Sequence, residues 1–416
     1  MRNTENIVVE SFAARPASLR VALVTETFPP EVNGVAMTLG RLVDGLLERG
    51  HEVQVVRPRQ GRADGQLQRE GLDEVLSHGV PIPNYPDLHF GLPSGSRLIK
   101  LWQQQRPDVV HVATEGPLGW SAVTAARKLR LPVTSSFHTN FDNYSQHYGI
   151  GLLKTPIDAY LRKLHNRTMA TLVPTQDLVQ ALEARGYHNV SVMSRGVAIE
   201  QFHPRCRSAA LRQSWGAAPD DVVVLYVGRL AKEKNVGTLL SAFAAIQSRL
   251  PSAKLVFVGD GPLRKPLQEA CPQAIFCGTQ VGADLAVHYA SGDLFLFPSS
   301  SETYGNVVPE AMASGLAVLA YARAAAGSLI RHGHNGILAE VDDELGFVNA
   351  AVALATDAQK IHALRANAAP SVAHLGWPAV FDAFIATLRN VVSVHSGLSK
   401  TPVHTRVSPQ FSPPSA

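Results

Sequence analysis

The chain has 416 residues, 45% hydrophobic and 17% charged, with 38 Lys and Arg against 34 Asp and Glu. That length suits two domains, and the composition is that of a globular chain, not a disordered one. A formal net charge of +4 does not call for a nucleic-acid partner, and three cysteines (Cys206, Cys271, Cys277), none in a CxxC pair, read as a reduced cytoplasmic chain without a metal cage.

Residues 1–18 carry charge early and lack an apolar segment, so they read as a flexible arm and not a secretion signal. No apolar run reaches the ~18 residues that span a bilayer. Arg20 to Thr25 is a short apolar run suited to a buried parallel strand. Leu39, Leu42, Val43, Leu46 and Leu47 then recur at helical spacing, Gly50 suits the left-handed residue that ends the helix, and Glu52 to Val56 is the next strand. Pro93 to Gln105 predicts a helix mixing Arg97 and Lys100 with Leu98, Ile99, Leu101 and Trp102. Such a helix packs on its own sheet or lies on an anionic membrane. Strands are expected at Asp108 to Val112, Pro132 to Ser136 and Thr171 to Pro174, with helices over Leu118 to Lys128, Pro156 to Met169 and Leu178 to Arg185.

The pattern restarts after a break at Val197 to Ala218 that holds an arginine cluster. Asp221 to Val227, Lys254 to Val258, Asp293 to Phe297 and Leu316 to Leu319 read as strands, and Leu239, Leu240, Phe243, Ile246 and Leu250 as a helical stripe. Trp377, Val380, Phe381, Phe384, Ile385 and Leu388 mark a last helix, which either caps the second half or crosses back to the first. Ser393 to Ala416 reads as a disordered tail. Strands alternating with helices predict an α/β chain of two Rossmann-like domains, with parallel sheets facing a central cleft where ligands bind at the strands' carboxyl ends.

Four segments carry candidate chemistry. Arg229 and Lys234 lie on the strand-to-helix loop after Gly228, where two cations beside a helix N-terminus suit a diphosphate; a solvated basic loop has the same composition. Glu302 and Glu310 flank Gly305, Asn306 and Val307, whose amides open a helix with Pro309 in its first turn. Two acids around an anion-binding turn suit hydroxyls on either side of a phosphate, although Glu310 also complements the helix dipole. Gly34 lets backbone approach a phosphate, or simply makes a turn. His138 follows a strand and points to the cleft, as a structural histidine there also would.

In this order these segments resemble the retaining GT-B glycosyltransferases of family 4. The resemblance rests on Asn33-Gly34-Val35, Ser136-Phe137-His138, Arg195-Gly196-Val197, Gly228-Arg229-Leu230 with Lys234, Gly259-Asp260-Gly261-Pro262 and Glu302 with Glu310. It spans Leu19 to Val392. Thr25 to Pro30, Phe137 to Asn140, Tyr160 to Asn166 and Ser194 to Val197 bring it nearest the GDP-mannose-dependent α-mannosyltransferases and the sulfoquinovosyl and glucosyl diacylglycerol synthases.

The resemblance implies an acceptor-side domain over 19–200, a nucleotide-sugar domain over 201–374, a C-terminal helix over 375–392 and a tail over 393–416. It implies that Arg229 and Lys234 hold the diphosphate, Glu310 the ribose, and Glu302 the donor sugar with the Gly305, Asn306 and Val307 amides. Gly34 is expected to close on the diphosphate, His138 to lie near the reacting centre, and Gly259, Gly261, Gly278 and Thr279 to border the base. The implied reaction is hexosyl transfer, best matched by mannose from GDP-mannose, to a lipid or glycan acceptor at the cytoplasmic side, with peripheral membrane contact. UDP-sugar-dependent glycosylation of diacylglycerol and non-catalytic binding of a sugar nucleotide are the alternatives. Without an Asp-x-Asp, no obligatory metal or other cofactor is expected. Tyr304 and Pro309 depart from the family's usual Phe and Leu, and Ala322 to Ser328 lacks the acidic and histidine residues many relatives carry.

Overall fold

A computed structural model describes residues 18–31, 33–60, 64–65, 69–82, 85–137, 154–302 and 304–397. The first half contributes β1 (Arg20–Val24), β2 (Glu52–Pro58), β3 (Leu72–Ser77), β4 (Gly79–Ile82), β5 (Tyr85–Gly91), β6 (Val109–Val112), β7 (Val133–Ser136), β8 (Ala170–Val173) and β9 (Val190–Val192). Seven form a parallel sheet in the order β3-β2-β1-β6-β7-β8-β9, and β4 with β5 forms an antiparallel hairpin. The second half adds β10 (Val223–Val227), β11 (Lys254–Val258), β12 (Ile275–Phe276), β13 (Leu294–Phe297), β14 (Ala317–Tyr321) and β15 (Ile337–Ala339). Its parallel sheet runs β12-β11-β10-β13-β14-β15. Helices cover both faces, so strands such as Val21 to Val24 and Val223 to Tyr226 are apolar at every position and fully buried.

Each sheet reverses its order once, between β1 and β6 and between β10 and β13. The loops leaving two neighbouring strands diverge there and open a crevice at their carboxyl ends. The loops after β1 and β10 carry Gly34 and the Arg229 to Lys234 run, and the loop after β13 carries Glu302.

The last helix, Trp377–His395, crosses back to the first half. Its Val380, Phe381, Phe384, Ile385 and Leu388 share one core with Val21 and Leu23 of β1 and with Leu39, Leu42, Val43 and Leu46 of the helix Gly34–Glu48. Gly45 permits this approach, because a side chain there would begin 2.3 Å from the Phe381 ring. The helix continues three residues past Val392, so the expected tail begins later than Ser393. The helix expected over Pro156 to Met169 runs instead over Lys154–His165, and turns at Asn166 to Thr168 lead from it into β8.

The helix Gly95–Gln104 packs on its own sheet. Leu98 and Trp102 are in the core, and the Trp102 indole donates to Gln54 Oε1 at 3.0 Å. Arg97 and Lys100 stay outside. Exposed apolar surface lies on the neighbouring hairpin instead, at Val80 and Phe90, which pair across its strands, and at Leu92. No helix among the described residues is long and apolar enough to cross a membrane.

Candidate active site

The site assembles where β10 and β13 part. After β10 the chain makes a short turn over Lys232–Lys234, passes through Asn235 in a left-handed conformation and enters the helix Val236–Arg249. Arg229 is 55% exposed and pairs with Glu233 at 3.6 Å. Its carbonyl accepts from the Tyr226 hydroxyl at 3.1 Å, which anchors the backbone while the guanidinium stays available. Lys234 is more enclosed and meets Glu302 Oε1 at 2.5 Å; the same oxygen accepts from Ser299 at 2.9 Å. Ser301 donates to the Glu233 carbonyl at 2.7 Å, so two contacts join the loop after β10 to the loop after β13. The second loop passes through Gly305 and Asn306 into the helix Val307–Ala313, whose first amides face the crevice end.

Glu310 sits in the first turn of that helix and accepts from the Tyr289 hydroxyl at 2.9 Å. Burial pushes its carboxyl up to about 7, against the lowering effect of the Tyr289 bond. A carboxyl so placed accepts hydroxyl protons once ionised.

The loops after β10, β11 and β12 interlock through their backbones. Gly259 N–H donates to the Gly278 carbonyl at 2.8 Å, and Leu230 N–H to the Asp260 carbonyl at 2.9 Å. Gly259 holds φ 133°, and a side chain on it would begin 2.0 Å from the Gly228 carbonyl oxygen, so only glycine fits. Gly261 likewise abuts the Leu230 carbonyl. These glycines are therefore needed for loop packing, in addition to any border they form for a base. Thr279 is exposed at the edge of this group.

From the first half, Asn33 caps the helix Gly34–Glu48 by accepting from the Val35 and Ala36 amides at 3.0 and 2.9 Å. This fixes Gly34 at the β1 crevice. His138 lies outside the described residues. Glu26, in the Thr25 to Pro30 run, is buried and accepts from the amides of Gly91 and, at 3.0 Å, Leu118; it pins the hairpin to the sheet, and burial raises its carboxyl to about 7.

The Glycosyltransferase Family 4 pattern matches residues 32–201, and the Glycosyl transferases group 1 pattern matches residues 221–357. The chain is 36% identical over 382 residues to the GDP-mannose-dependent alpha-mannosyltransferase of Mycolicibacterium smegmatis, covering 91% of this chain and 99% of that protein. The chain belongs to glycosyltransferase family 4. It is 33% identical over 384 residues to the protein of the same name from Corynebacterium glutamicum, covering 92% of each. Among solved structures, sucrose-phosphate synthase from Thermosynechococcus elongatus superimposes with a TM-score of 0.73 at 18% identity, over 90% of this chain and 100% of that one. Anabaena HepE in complex with UDP gives 0.71 at 20%, over 89% and 100%. This glycosyltransferase thus has the GT-B fold, two Rossmann-like halves around a cleft.

Sequence reasoning singled out the charged residues of this glycosyltransferase but not the groups that hold them. Tyr226 and Ser299 hold groups three residues away, while Tyr289 and Ser301 reach Glu310 and the Glu233 carbonyl across 21 and 68 residues. The Ala322 to Ser328 stretch, without an expected contact, forms the helix Ala324–Leu329, and its Ala325 N–H donates to the Tyr304 carbonyl at 2.8 Å. Arg195, read only as part of a motif, reaches the second half. Its guanidinium lies 5.9 Å from the Tyr304 ring centroid.

Proposed function

We propose that this enzyme is a retaining hexosyltransferase that moves mannose from GDP-mannose to a lipid or glycan acceptor. The observation that carries the reading is the Lys234–Glu302 pair at the β10/β13 crevice, with Arg229 exposed nearby and Glu310 in the first turn of the helix that follows. A sugar diphosphate offers a dianion to the two cations, with hydroxyls on both flanks for the two acids. The choice of mannose and of a guanine base is supported by the names of the mannosyltransferases aligned over nine-tenths of the chain.

In the proposed reaction, the bond from the anomeric carbon to the β-phosphate oxygen breaks while an acceptor hydroxyl attacks from the same face. The acceptor proton passes to a donor phosphate oxygen, and the nucleoside diphosphate leaves. Arg229 and Lys234 take up the charge growing on the β-phosphate, and the Gly305 to Val307 amides hold the sugar side. No step needs a metal. We propose that the enzyme works at the cytoplasmic membrane face as a peripheral protein, with the exposed Val80, Phe90 and Leu92 and the exposed Arg97 and Lys100 supplying the contact.

Thermal unfolding with GDP-mannose, UDP-glucose and UDP-glucuronate tests the donor. GDP-mannose is expected to raise Tm most. Stabilisation by a UDP-sugar alone replaces the mannose reading with the diacylglycerol glycosylation known by name for relatives such as the alpha-monoglucosyldiacylglycerol synthase of Streptococcus pneumoniae, 28% identical over 326 residues. Stabilisation by none of the three removes the donor assignment.

A further inference from the structure

We propose that Arg195 is a third cation of the donor site, supplied by the first half, and that it binds the diphosphate opposite Arg229 and Lys234. The proposal rests on the donor reading above and adds to it a ligand from the other side of the cleft.

Arg195 follows β9 at the point where the chain leaves the first half, so its backbone is held by that sheet while its side chain extends toward the second. Two contacts locate the guanidinium, and a neighbouring charge bears on it. A side chain on Gly34 would begin 3.8 Å from its Nη1, which sets it against the loop expected to close on the diphosphate. It lies over the Tyr304 ring, one residue before the Gly305 to Val307 amides. The charge of Glu302, the partner of Lys234, acts on it. One group therefore touches the donor loops of both halves.

The local charge balance also favours an anion. Arg195, Arg229 and Lys234 stand against Glu233 and Glu302, leaving positive charge beside the helix entrance at Asn306. Burial opposes the charged guanidinium, and Tyr304 and Glu302 offset this only in part. An arginine keeps its proton in such surroundings, and its planar fork matches two phosphate oxygens at once. A diphosphate seated between the halves offers its oxygens to this fork. It also ties closure of the cleft to occupancy of the donor site.

The test compares binding of nucleoside diphosphate and nucleoside monophosphate (GDP with GMP, UDP with UMP) by titration calorimetry of the full chain. Arg195→Met is expected to weaken diphosphate binding at least tenfold and to leave monophosphate binding within twofold. Arg195→Lys should recover part of the loss, because it restores charge without the fork. If Arg195→Met does not fold, Arg195→Lys carries the test alone, with a threefold or greater loss confined to the diphosphate. An unchanged ratio of diphosphate to monophosphate affinity overturns the proposal, whatever happens to Tm or turnover, and leaves Arg195 as a brace between the halves. Wild-type protein that binds neither diphosphate overturns the donor reading together with this one, and the wild-type titration alone reveals it.

Discussion

Two carboxylates bracket β13 and live differently. Asp293, just before the strand, is 9% exposed and held from all sides: Oδ1 meets Arg207 at 2.7 Å and Arg365 at 2.9 Å, while Oδ2 meets Arg212 at 2.8 Å and the Val223 amide at 2.9 Å. Glu302, just after the strand, takes its Lys234 and Ser299 bonds on a single oxygen, Oε1, and keeps 17% of its side chain exposed. At the amino end of the sheet three cations exhaust one acid and lock the segment after the break onto the second sheet. At the carboxyl end the acid and its cation form a pair that a ligand can exchange. Stability and chemistry are thus separated along one strand of four residues.

The sharpest way to break this contrast is to remove Asp293. Asp293→Ala leaves three partly buried arginines without their shared partner, and a loss of about 3–5 kcal/mol is expected. A fall in Tm of roughly 10 °C should follow. A stability within 1 °C of the wild type would show that the arginines are satisfied elsewhere. Next in size, Lys234→Ala and Arg229→Ala should each lower turnover about 100-fold, or about 2.7 kcal/mol in the barrier, with Tm nearly unchanged. Near-normal rates, or a Tm loss as large as that of Asp293→Ala, would erase the distinction between the two ends.

Glu310 sharpens it further. Its carboxyl is raised to about 7, so the folded state favours the protonated form; the stability this contributes is present below the ordinary value near 4.5 and lost as pH rises through about 7. Binding of ribose hydroxyls by the ionised form runs the other way. Donor KM should fall as pH rises through about 7, and Glu310→Gln should flatten that dependence while raising KM about tenfold at pH 8, on the scale of a lost charged hydrogen bond. A KM profile identical in the variant would remove Glu310 from the donor. The smallest effect is expected from EDTA, with turnover within about twofold of the untreated enzyme; a full loss restored by Mg²⁺ would mean that a divalent ion shares the phosphate with Arg229 and Lys234.

Both sheets could be read from apolar runs because strands buried on two faces carry no polar alternation. β3, β9, β12 and β15 escaped notice because each is short or interrupted by polar residues, as in Leu72–Ser77 with its Asp73 and Glu74. The helices Glu344–Ala355 and Ala358–Val372 escaped because alanine blurs the stripe that marks a buried face. In the site, the charged residues stood out by type, and Lys234 with Glu302 by its place in a motif. The arginines of the break between halves were read as linker composition. Their task became visible only when Arg207, Arg212 and the distant Arg365 converged on Asp293, since no spacing in a chain encodes such a meeting.

The returning helix also bears on how the protein is made. β1 emerges before the second half, yet one wall of its core consists of Val380, Phe381, Phe384, Ile385 and Leu388, which leave the ribosome after it. The first half must therefore wait, with an apolar flank uncovered, while the second is translated. Cutting the chain between the halves would not release two independent domains but one intact unit and one with a missing side. Supplied in trans, a peptide of the last helix should close that flank.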